Sequence, residues 1–327
     1  MKRPPVALSF ALLIAAAVLS IAAAASIGSL ALDPLELWQG LINADDSLAR
    51  SLVLDLRLPR ALCAFATGAT LALAGVLMQV LLRNPLADPY ILGVSGGASV
   101  AALAAMLAGL GGLWIDAGAA TGALCATLLV FALAHGEGGW TPTRLLLIGV
   151  VVAAGCGAIV SLMLALGSES QLRGMVFWLM GDFSTSTSPR RVIGVLVPVL
   201  LLAMLFSRSL NLLARGEIEA RALGLPLGRV RVSVFVASAV LTAAAVTTAG
   251  SIGFVGLVTP HLVRMMLGSD HRVVVPAAAI LGGVLLVLAD LLARTVIAPR
   301  QLPVGALTAL IGVPLFLALM RRQRFIG

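Results

Sequence analysis

Long apolar runs, separated by short polar breaks, cover almost the whole chain. Most runs are about 20 residues long, which is the length that a helix needs to cross a hydrocarbon core of roughly 30 Å. They lack the alternation of apolar and polar residues that marks the strands of a membrane barrel. The pattern predicts an all-α polytopic membrane protein with about ten transmembrane helices, near residues 6–27, 58–82, 90–110, 113–134, 144–167, 191–207, 230–250, 254–267, 273–293 and 303–320.

Composition narrows the class further. Hydrophobic residues make up 60% of the 327 residues and charged residues only 11%, whereas soluble domains average about 25% charged residues. The predicted helices use most of the chain, so little length remains for a separate soluble domain. We therefore expect a single transmembrane domain over residues 1–327, surrounded by the lipid bilayer.

Two of the apolar runs need a decision about whether they cross the membrane. The run from Val6 to Ile27 is too long for the apolar core of a signal peptide, which has about 7–15 residues, so we interpret it as the first transmembrane helix. The segment 254–267 is short. If it crosses, and both termini are cytoplasmic, most of the 22 basic residues face the cytoplasm, as the positive-inside rule predicts. If it does not cross, the basic residues divide evenly.

The polar stretches between the runs contain two short predicted helices. The loop 207–231 is the longest predicted cytoplasmic loop, and its residues 217–223 are good helix formers followed by the helix-stopping Gly224. On the other side of the membrane, the polar stretch 168–188 contains an apolar insert at 175–180. We interpret this insert as a helix that lies on the outer face without crossing.

Three separated blocks of the sequence resemble one known family. The first block, 57–99, contains R-L-P-R, R-N-P-L-A-D-P and I-L-G-V-S-G-G-A. The second, 250–264, reads G-S-I-G-F-V-G-L-V-T-P-H-L-V-R, and the third, which ends at Phe316, reads L-P-V-G-A-L-T-A-L-I-G-V-P-L-F. In this order the blocks resemble the FecCD/BtuC family, which comprises the membrane permeases of ABC importers for iron-siderophores, haem and cobalamin.

The resemblance implies a fold, a set of partners and a cargo. It implies a BtuC-like type II ABC importer permease, a homodimer with its pathway at the dimer interface, in the bacterial cytoplasmic (inner) membrane. Two cytoplasmic ABC ATPase subunits would bind ATP and Mg²⁺, this chain would bind no cofactor, and a periplasmic substrate-binding protein would deliver the cargo. The cargo would be a metal chelate, and the sequence does not choose among a ferric siderophore, haem and cobalamin.

The resemblance also assigns residues to three sites. Binding-protein docking falls on Arg57, Arg60 and Arg294, because arginine binds carboxylate through a planar fork. The ATPase-coupling set is Glu217, Ala220, Arg221, Ala222, Leu223 and Gly224. The cytoplasmic gate set is Asn84, Leu86, Pro142 and Thr143. The residues alone allow simpler interpretations: arginines that snorkel at the interface, a solvated loop helix, and a helix-starting role for Pro142, which replaces the hydroxyl residue expected of the gate.

The ionisable residues limit the alternatives. Lys2 is the only lysine in the sequence, and a P-loop needs a lysine after its glycine loop, so this chain is not an ATPase of that type. An ion-coupled secondary transporter is the alternative, and it would need ionisable groups at membrane depth. Asp290 is the only fair candidate. Because Asp290 and Arg294 lie four apart on one predicted helix, a structural ion pair is the simpler interpretation.

The sequence contains no convincing catalytic or metal site. Residues 93–97 match the G-x-S-x-G pattern around Ser95, but the pattern opens a membrane helix and no partner acid is evident. We place Ser95 and the three histidines toward the cytoplasmic side. The cysteines Cys63, Cys125 and Cys156 lie in apolar runs, and we expect buried thiols without metal-ligand or disulfide spacing. The dispersed arginines predict no nucleic-acid binding.

Overall fold

The computed structural model describes residues 5–28, 48–135, 141–184 and 188–323, and the regular structure within these ranges is helical throughout. The main helices, numbered along the chain, are α1 (Val6–Ser26), α2 (Leu58–Leu81), α3 (Val94–Leu107), α4 (Gly112–Ala134), α5 (Pro142–Leu166), α6 (Glu169–Met180), α7 (Arg190–Leu205), α8 (Ser207–Arg215), α9 (Glu217–Ala222), α10 (Leu227–Ala249), α11 (Val255–Leu267), α12 (His271–Thr295) and α13 (Val304–Gln323). A helical turn (Leu48–Ser51) and a π-helical segment (Leu52–Arg57) lead into α2, and a 3-10 turn (Pro89–Leu92) leads into α3. The predicted all-α class is confirmed.

Each predicted apolar run coincides with a helix. Within the described ranges, six helices are long and apolar enough to cross a membrane, namely α1, α2 with its π-helical lead, α4, α5, α10 and α12. The bent pair of α7 and α8 would make a seventh span. Three shorter apolar helices, α3, α11 and most of α13, account for the remaining runs. The number that crosses the bilayer stays a prediction.

Helix α2 lies at the centre of the protomer, where almost all its side chains are buried. It packs along α10, α11 and α12. Glycines permit the closest contacts, since a Cβ atom on Gly68 would overlap the carbonyl oxygen of Gly282, and a Cβ on Gly75 would overlap that of Gly256. Small residues at helix contacts are expected in lipid, where packing rather than the hydrophobic effect drives helix association.

The connection between α2 and α3 folds back into the protomer. Its first turn is closed by Asn84, whose Oδ1 accepts a hydrogen bond from the amide of Leu86 at 2.9 Å. The carboxylate of Asp88 then accepts from the amide of Tyr90 at 2.8 Å. Side chains of this type commonly close turns, and here they satisfy backbone groups in a stretch that lacks regular structure.

Helix α3 is consequently shorter than predicted. The ring of Pro89 packs beside Gly256, and Gly256 also packs against the backbone of Leu71 in the middle of α2. The helix begins at Val94, after Gly93 has adopted a left-handed φ of 72°, and it has 14 residues. The predicted start near residue 90 is wrong, because the proline and the left-handed glycine delay the helix.

Two other elements also differ from the prediction. Helix α6 begins before the predicted apolar insert 175–180, because Ser168 starts a capping box that adds polar residues to its first turn. The predicted span 191–207 ends in a bend of 66° between α7 and α8. The loop 207–231 therefore contains two helices, α8 and α9, rather than one.

The cysteines correct another expectation. All three are free thiols, but only Cys63 is buried, whereas Cys125 is exposed and Cys156 is partly exposed. The expectation of buried thiols is wrong for Cys125. Lipid tails are as apolar as leucine, so an apolar run contains residues that face lipid as well as residues that face protein.

Replacing Gly75 by alanine should lower the melting temperature and folded yield of the purified protein in detergent. The added Cβ would collide with the backbone of Gly256, which cannot move aside as a flexible side chain can, and overpacking of this kind costs about 1–3 kcal/mol. The control is Gly194→Ala on α7, where no atom lies within 4 Å of the added carbon. Equal stability of the two variants would contradict the packing described for α2.

Candidate functional site

A buried charge cluster joins α2 and α12 at one end of the protomer. Asp290 of α12 is 1% exposed, and its carboxylate accepts from Arg60 of α2 through Nε at 3.1 Å and Nη2 at 2.7 Å. Arg294, one turn further along α12, lies with its Nε 3.5 Å from the same carboxylate. Two guanidinium groups thus compensate one acid at a position where an unpaired charge would be costly.

Two arginines of this end also fasten helix α1. Arg57 Nη1 donates to the carbonyl oxygen of Ser26 at 2.7 Å, and Arg294 Nη2 donates to the carbonyl oxygen of Ala24. The last carbonyl groups of a helix have no partner within the helix. The two guanidinium groups therefore cap the end of α1 and attach it to the centre of the protomer.

Arg60 extends the cluster to the segments that follow α6 and α12. Its Nη2 lies 3.9 Å from the carboxylate of Asp182, and its Nη1 donates to Gln301 Oε1 at 3.5 Å. Gln301 in turn donates through Nε2 to Asp182 at 2.5 Å. The cluster thus connects α2, α12, the segment after α6 and the segment before α13.

The structure brings the three predicted docking arginines together. Arg57 and Arg294 are more than nine-tenths buried, and each donates to groups of this chain, so docking stays a prediction. The expected Asp290–Arg294 pair is present, but the tighter partner of Asp290 is Arg60. Sequence reasoning missed this pairing, because the two residues are 230 positions apart and no local pattern links them.

At the opposite end of α2, Glu217 attaches the predicted coupling segment to the protomer. Its Oε1 lies 3.1 Å from Nη2 of Arg83, which follows α2, and it also pairs with Arg231 near the start of α10. Ala220 is fully buried. Helix α9 is therefore held against the membrane helices instead of standing free in a solvated loop.

The end of α9 follows the sequence prediction closely. Gly224 adopts a φ of 77°, and the amide of Leu225 donates to the carbonyl of Ala220 at 2.9 Å, which is a Schellman closure. Two apolar side chains remain uncovered, since Ile218 is 87% exposed and Leu223 is 61% exposed. The other predicted coupling residues, Arg221 and Ala222, are also exposed.

The predicted gate residues occupy two turns at this same end. Asn84 directly follows Arg83, and its side chain holds the turn at Leu86, which is exposed. Pro142 and Thr143 are the first two residues of α5, and Pro142 thus has the helix-starting position that suits it. No hydrogen bond between described residues joins the two turns, and the gate stays a prediction.

A cavity of about 590 Å³ borders the gate turn and helix α8, the helix that precedes α9. Arg83 and Asn84 line it beside the end of α2, and residues of α8, of α11 and of the start of α12 close the other walls. Arg264 of α11 donates to Gln79 Oε1 of α2 inside this wall. Arg83, which binds Glu217, and Asn84, which holds the gate turn, are therefore neighbours on one cavity surface.

Ser95 does not lie where the sequence reasoning placed it. Its hydroxyl donates to Ser251 Oγ at 2.9 Å, in the connection between α10 and α11, because the segment before α3 folds back into the protomer. This connection lies at the end of α10 opposite to Arg231 and α9. The contact pairs two serines and offers no base to a nucleophile. No group of three or more metal-ligating side chains occurs among the residues that the structure describes.

Comparison with known proteins identifies the family. Residues 12–322 match the FecCD transport family. The chain belongs to this family. The resemblance inferred from the three sequence blocks is thereby confirmed, and the match extends beyond those blocks to nearly the whole chain.

Relatives of this FecCD-family chain are importer permeases. The hemin transport system permease protein HmuU of Yersinia pestis is 40% identical over 98% of this chain and 97% of the relative. The vitamin B12 import system permease protein BtuC of Vibrio cholerae is 41% identical over 88% of each chain. The chain is accordingly a transport permease, a class that is not itself enzymatic.

Solved structures agree with this family assignment. A structure described as an inward-facing conformation of a metal-chelate type ABC transporter is 31% identical, with a TM-score of 0.83 over 97% of this chain and 99% of that chain. PsaBC from Streptococcus pneumoniae, in complex with Fab, shares the fold at 17% identity, with a TM-score of 0.57 over 87% and 94% of the two chains. The FecCD chain is thus a multi-pass ABC permease, and the ion-coupled alternative is not supported.

Replacing Asp290 by asparagine should destabilise the permease by about 3–5 kcal/mol, because Arg60 and Arg294 would then be buried without a neutralising acid. Thermal unfolding in detergent and the folded yield measure the effect. The matched control is Asp116→Asn, which breaks the exposed Asp116–Arg191 pair at 2.8 Å and should change stability by less than about 1 kcal/mol. Similar melting temperatures for both variants would count against the structural role of the cluster.

Proposed function

We propose that this FecCD permease moves a metal chelate from the periplasm to the cytoplasm across the bacterial inner membrane. The observation that carries the proposal is its similarity, over most of its length, to permeases named for hemin and vitamin B12 and to a metal-chelate type transporter. Haem, cobalamin or a ferric siderophore is the cargo. Partner ATPase subunits bind ATP and Mg²⁺ and supply the energy, and this chain carries no cofactor of its own.

A homodimer with the pathway at its interface is supported by helix α5. Most of its side chains are exposed in the single protomer, although it is among the most apolar spans. At Gly155 and Gly157 no atom lies within 4 Å of where a Cβ would stand. An uncovered apolar face with small residues suits close contact with another helix in lipid, and we assign that helix to a second copy of the chain.

Both termini face the cytoplasm in this proposal, which places α8 and α9 on the cytoplasmic side. With ten crossings, this orientation assigns most of the 22 basic residues to the cytoplasm. The buried cluster around Asp290 then lies at the periplasmic end, where a substrate-binding protein would approach. The cavity beside Arg83 lies at the cytoplasmic end, where the cargo would leave.

Helix α9 is the proposed docking element for the ABC ATPase. Ile218 and Leu223 are apolar side chains largely uncovered by the protomer, on a segment outside the candidate spans, and uncovered apolar surface of this kind favours a protein contact. Glu217 connects α9 to Arg83 at 3.1 Å, and the next residue is the gate residue Asn84. A displacement of α9 by the ATPase would therefore pull directly on the gate turn.

Replacing Ile218 and Leu223 together by asparagine should weaken ATPase retention on the permease by roughly tenfold or more, since truncation of a central apolar contact commonly costs 1–2 kcal/mol or more. ATP-dependent uptake into proteoliposomes should fall in parallel, while membrane insertion persists. Co-purification of the ATPase subunits and uptake of each candidate chelate measure the two effects.

The control for this experiment is Glu219→Gln, which changes an exposed polar residue on the same short helix and should retain the ATPase. Normal ATPase retention and normal uptake in the Ile218/Leu223 variant would remove α9 from the proposed coupling site.

The outer arginines remain the proposed docking site for acidic residues of the binding protein. All three already donate hydrogen bonds within the protomer, so a docking carboxylate would have to extend or exchange these bonds. Arg60 has the most accessible side chain of the three, with 17% exposed. Its planar fork can address two acids at once, which a lysine ammonium does less well.

Replacing Arg60 by lysine keeps the positive charge beside Asp290 but removes the fork. Binding of the loaded binding protein should weaken by at least roughly tenfold at low salt, the effect of losing one charge-assisted hydrogen bond. The matched control is Arg300→Lys at the same end, where the side chain is exposed outside the cluster. If a well-folded Arg60→Lys permease binds with wild-type affinity at low and at high salt, Arg60 has only its structural role.

A further inference from the structure

A second, smaller cavity lies where α7, α8 and the start of α12 meet. Its volume is about 370 Å³. Two arginines on different helices converge on it beside apolar and small side chains, and the lining residues are Met204, Leu205, Ser207, Arg208 and Arg272. It is separate from the larger cavity beside Arg83, with which it shares no lining residue.

The bend between α7 and α8 places this cavity where an apolar candidate span ends. The apolar helix α7 ends at Leu205, and the chain turns by 66° into α8. Helix α8 buries Leu210 and Leu213 against the protomer and turns polar residues outward. Leu205 and Phe206 are left uncovered, with 73% and 56% of their surface exposed. Apolar side chains at the end of a membrane span suit contact with acyl chains.

The two arginines expose their guanidinium groups to an external anion. Both are exposed, and neither takes part in a salt bridge within the described part of the chain. The nearest acid in sequence, Asp270, lines the larger cavity instead. Hydrogen bonds from the Asn211 amide group and from the backbone amide of Arg272 hold the pKa of Asp270 below its usual value, with a smaller contribution from the positive charge of Arg272. The carboxylate of Asp270 thus acts on the Arg272 guanidinium only through space, and its hydrogen bonds go to other groups.

We infer that this corner binds the phosphate of an anionic phospholipid headgroup, with the acyl chains lying over Met204, Leu205 and Phe206. Guanidinium groups bind phosphate oxygens through paired hydrogen bonds, and basic pockets between membrane helices on the cytoplasmic side hold anionic headgroups. A single arginine at an interface is explained by snorkelling. Arg208 and Arg272 share one cavity, where they can bind a headgroup. The exposed apolar residues beside them can contact its acyl chains.

This lipid site goes beyond the transport role of the permease and does not depend on which chelate is carried. The bound lipid would brace the bend at Phe206, and α8 continues through Gly216 into the coupling helix α9. An occupied site would therefore hold the base of the coupling segment at the membrane surface.

The test compares bound lipid on the full-length permease by native mass spectrometry in detergent. The wild-type protein should retain phosphatidylglycerol in preference to phosphatidylcholine. Replacing both arginines by glutamine, as R208Q with R272Q, should weaken phosphatidylglycerol retention roughly 30-fold, because each basic side chain contributes a factor of roughly five at an anionic surface. The charge-conserving pair R208K with R272K should retain more of the lipid than the glutamine pair.

The matched control removes two exposed arginines at the same end but outside the cavity, as R144Q with R229Q, and should keep wild-type retention. Equal phosphatidylglycerol retention by the R208Q/R272Q protein would overturn the proposal, as would equal retention of phosphatidylcholine by the wild type. An additional arm adds inorganic phosphate: if free phosphate binds at the two arginines and phosphatidylglycerol does not, the lipid assignment is wrong. Unchanged melting temperatures for both pairs verify that the exposed substitutions leave the fold intact.

Discussion

The close approach of α2 to α11 and α12 is the contact on which the rest of the protomer depends. In a bilayer the hydrophobic effect does not distinguish one apolar helix neighbour from another, so the fit of small residues decides which helices associate. Gly68 against Gly282 and Gly75 against Gly256 leave no space even for a methyl group. The same approach brings Arg60 within reach of Asp290 at one end of α2, and Gln79 within reach of Arg264 at the other.

The charge contacts at the two ends of α2 differ in kind. At the Asp290 end, the acid is almost fully buried and its arginines also cap α1, so breaking any one contact leaves a costly unpaired group. At the other end, Glu217 also pairs with the largely buried Arg231, but the Arg83–Glu217 pair is partly exposed, and exposed ion pairs contribute little to stability. The first end is therefore a rigid anchor, whereas the Arg83–Glu217 contact at the second end can rearrange at small cost, as the proposed coupling role of α9 would require.

Helix type, approximate helix positions and several helix ends could be predicted from local sequence. Gly224 ends α9 as predicted, and Pro142 begins α5, because both effects depend on backbone conformation within a few residues. The prediction failed where a segment takes its path from distant contacts. The start of α3 moved because Pro89 packs against Gly256, and the neighbours of Ser95 changed with it. Cys125 was expected to be buried but is exposed. Helix positions that face lipid are as apolar as those that face protein, so the sequence does not distinguish them.

The sequence by itself determined the class of this protein, its family and the absence of a P-loop lysine, because hydrophobic length, motif order and residue type are properties of the linear chain. It also singled out Arg57, Arg60 and Arg294, which the structure brings together, and the short helix after residue 216. Only the tertiary structure decided that Arg60, and not Arg294 alone, neutralises Asp290. It likewise decided that Glu217 joins α9 to Arg83, the residue next to Asn84. Those pairings join residues 230 and 134 positions apart. They form only because the glycine contacts along α2 determine which helix ends lie side by side.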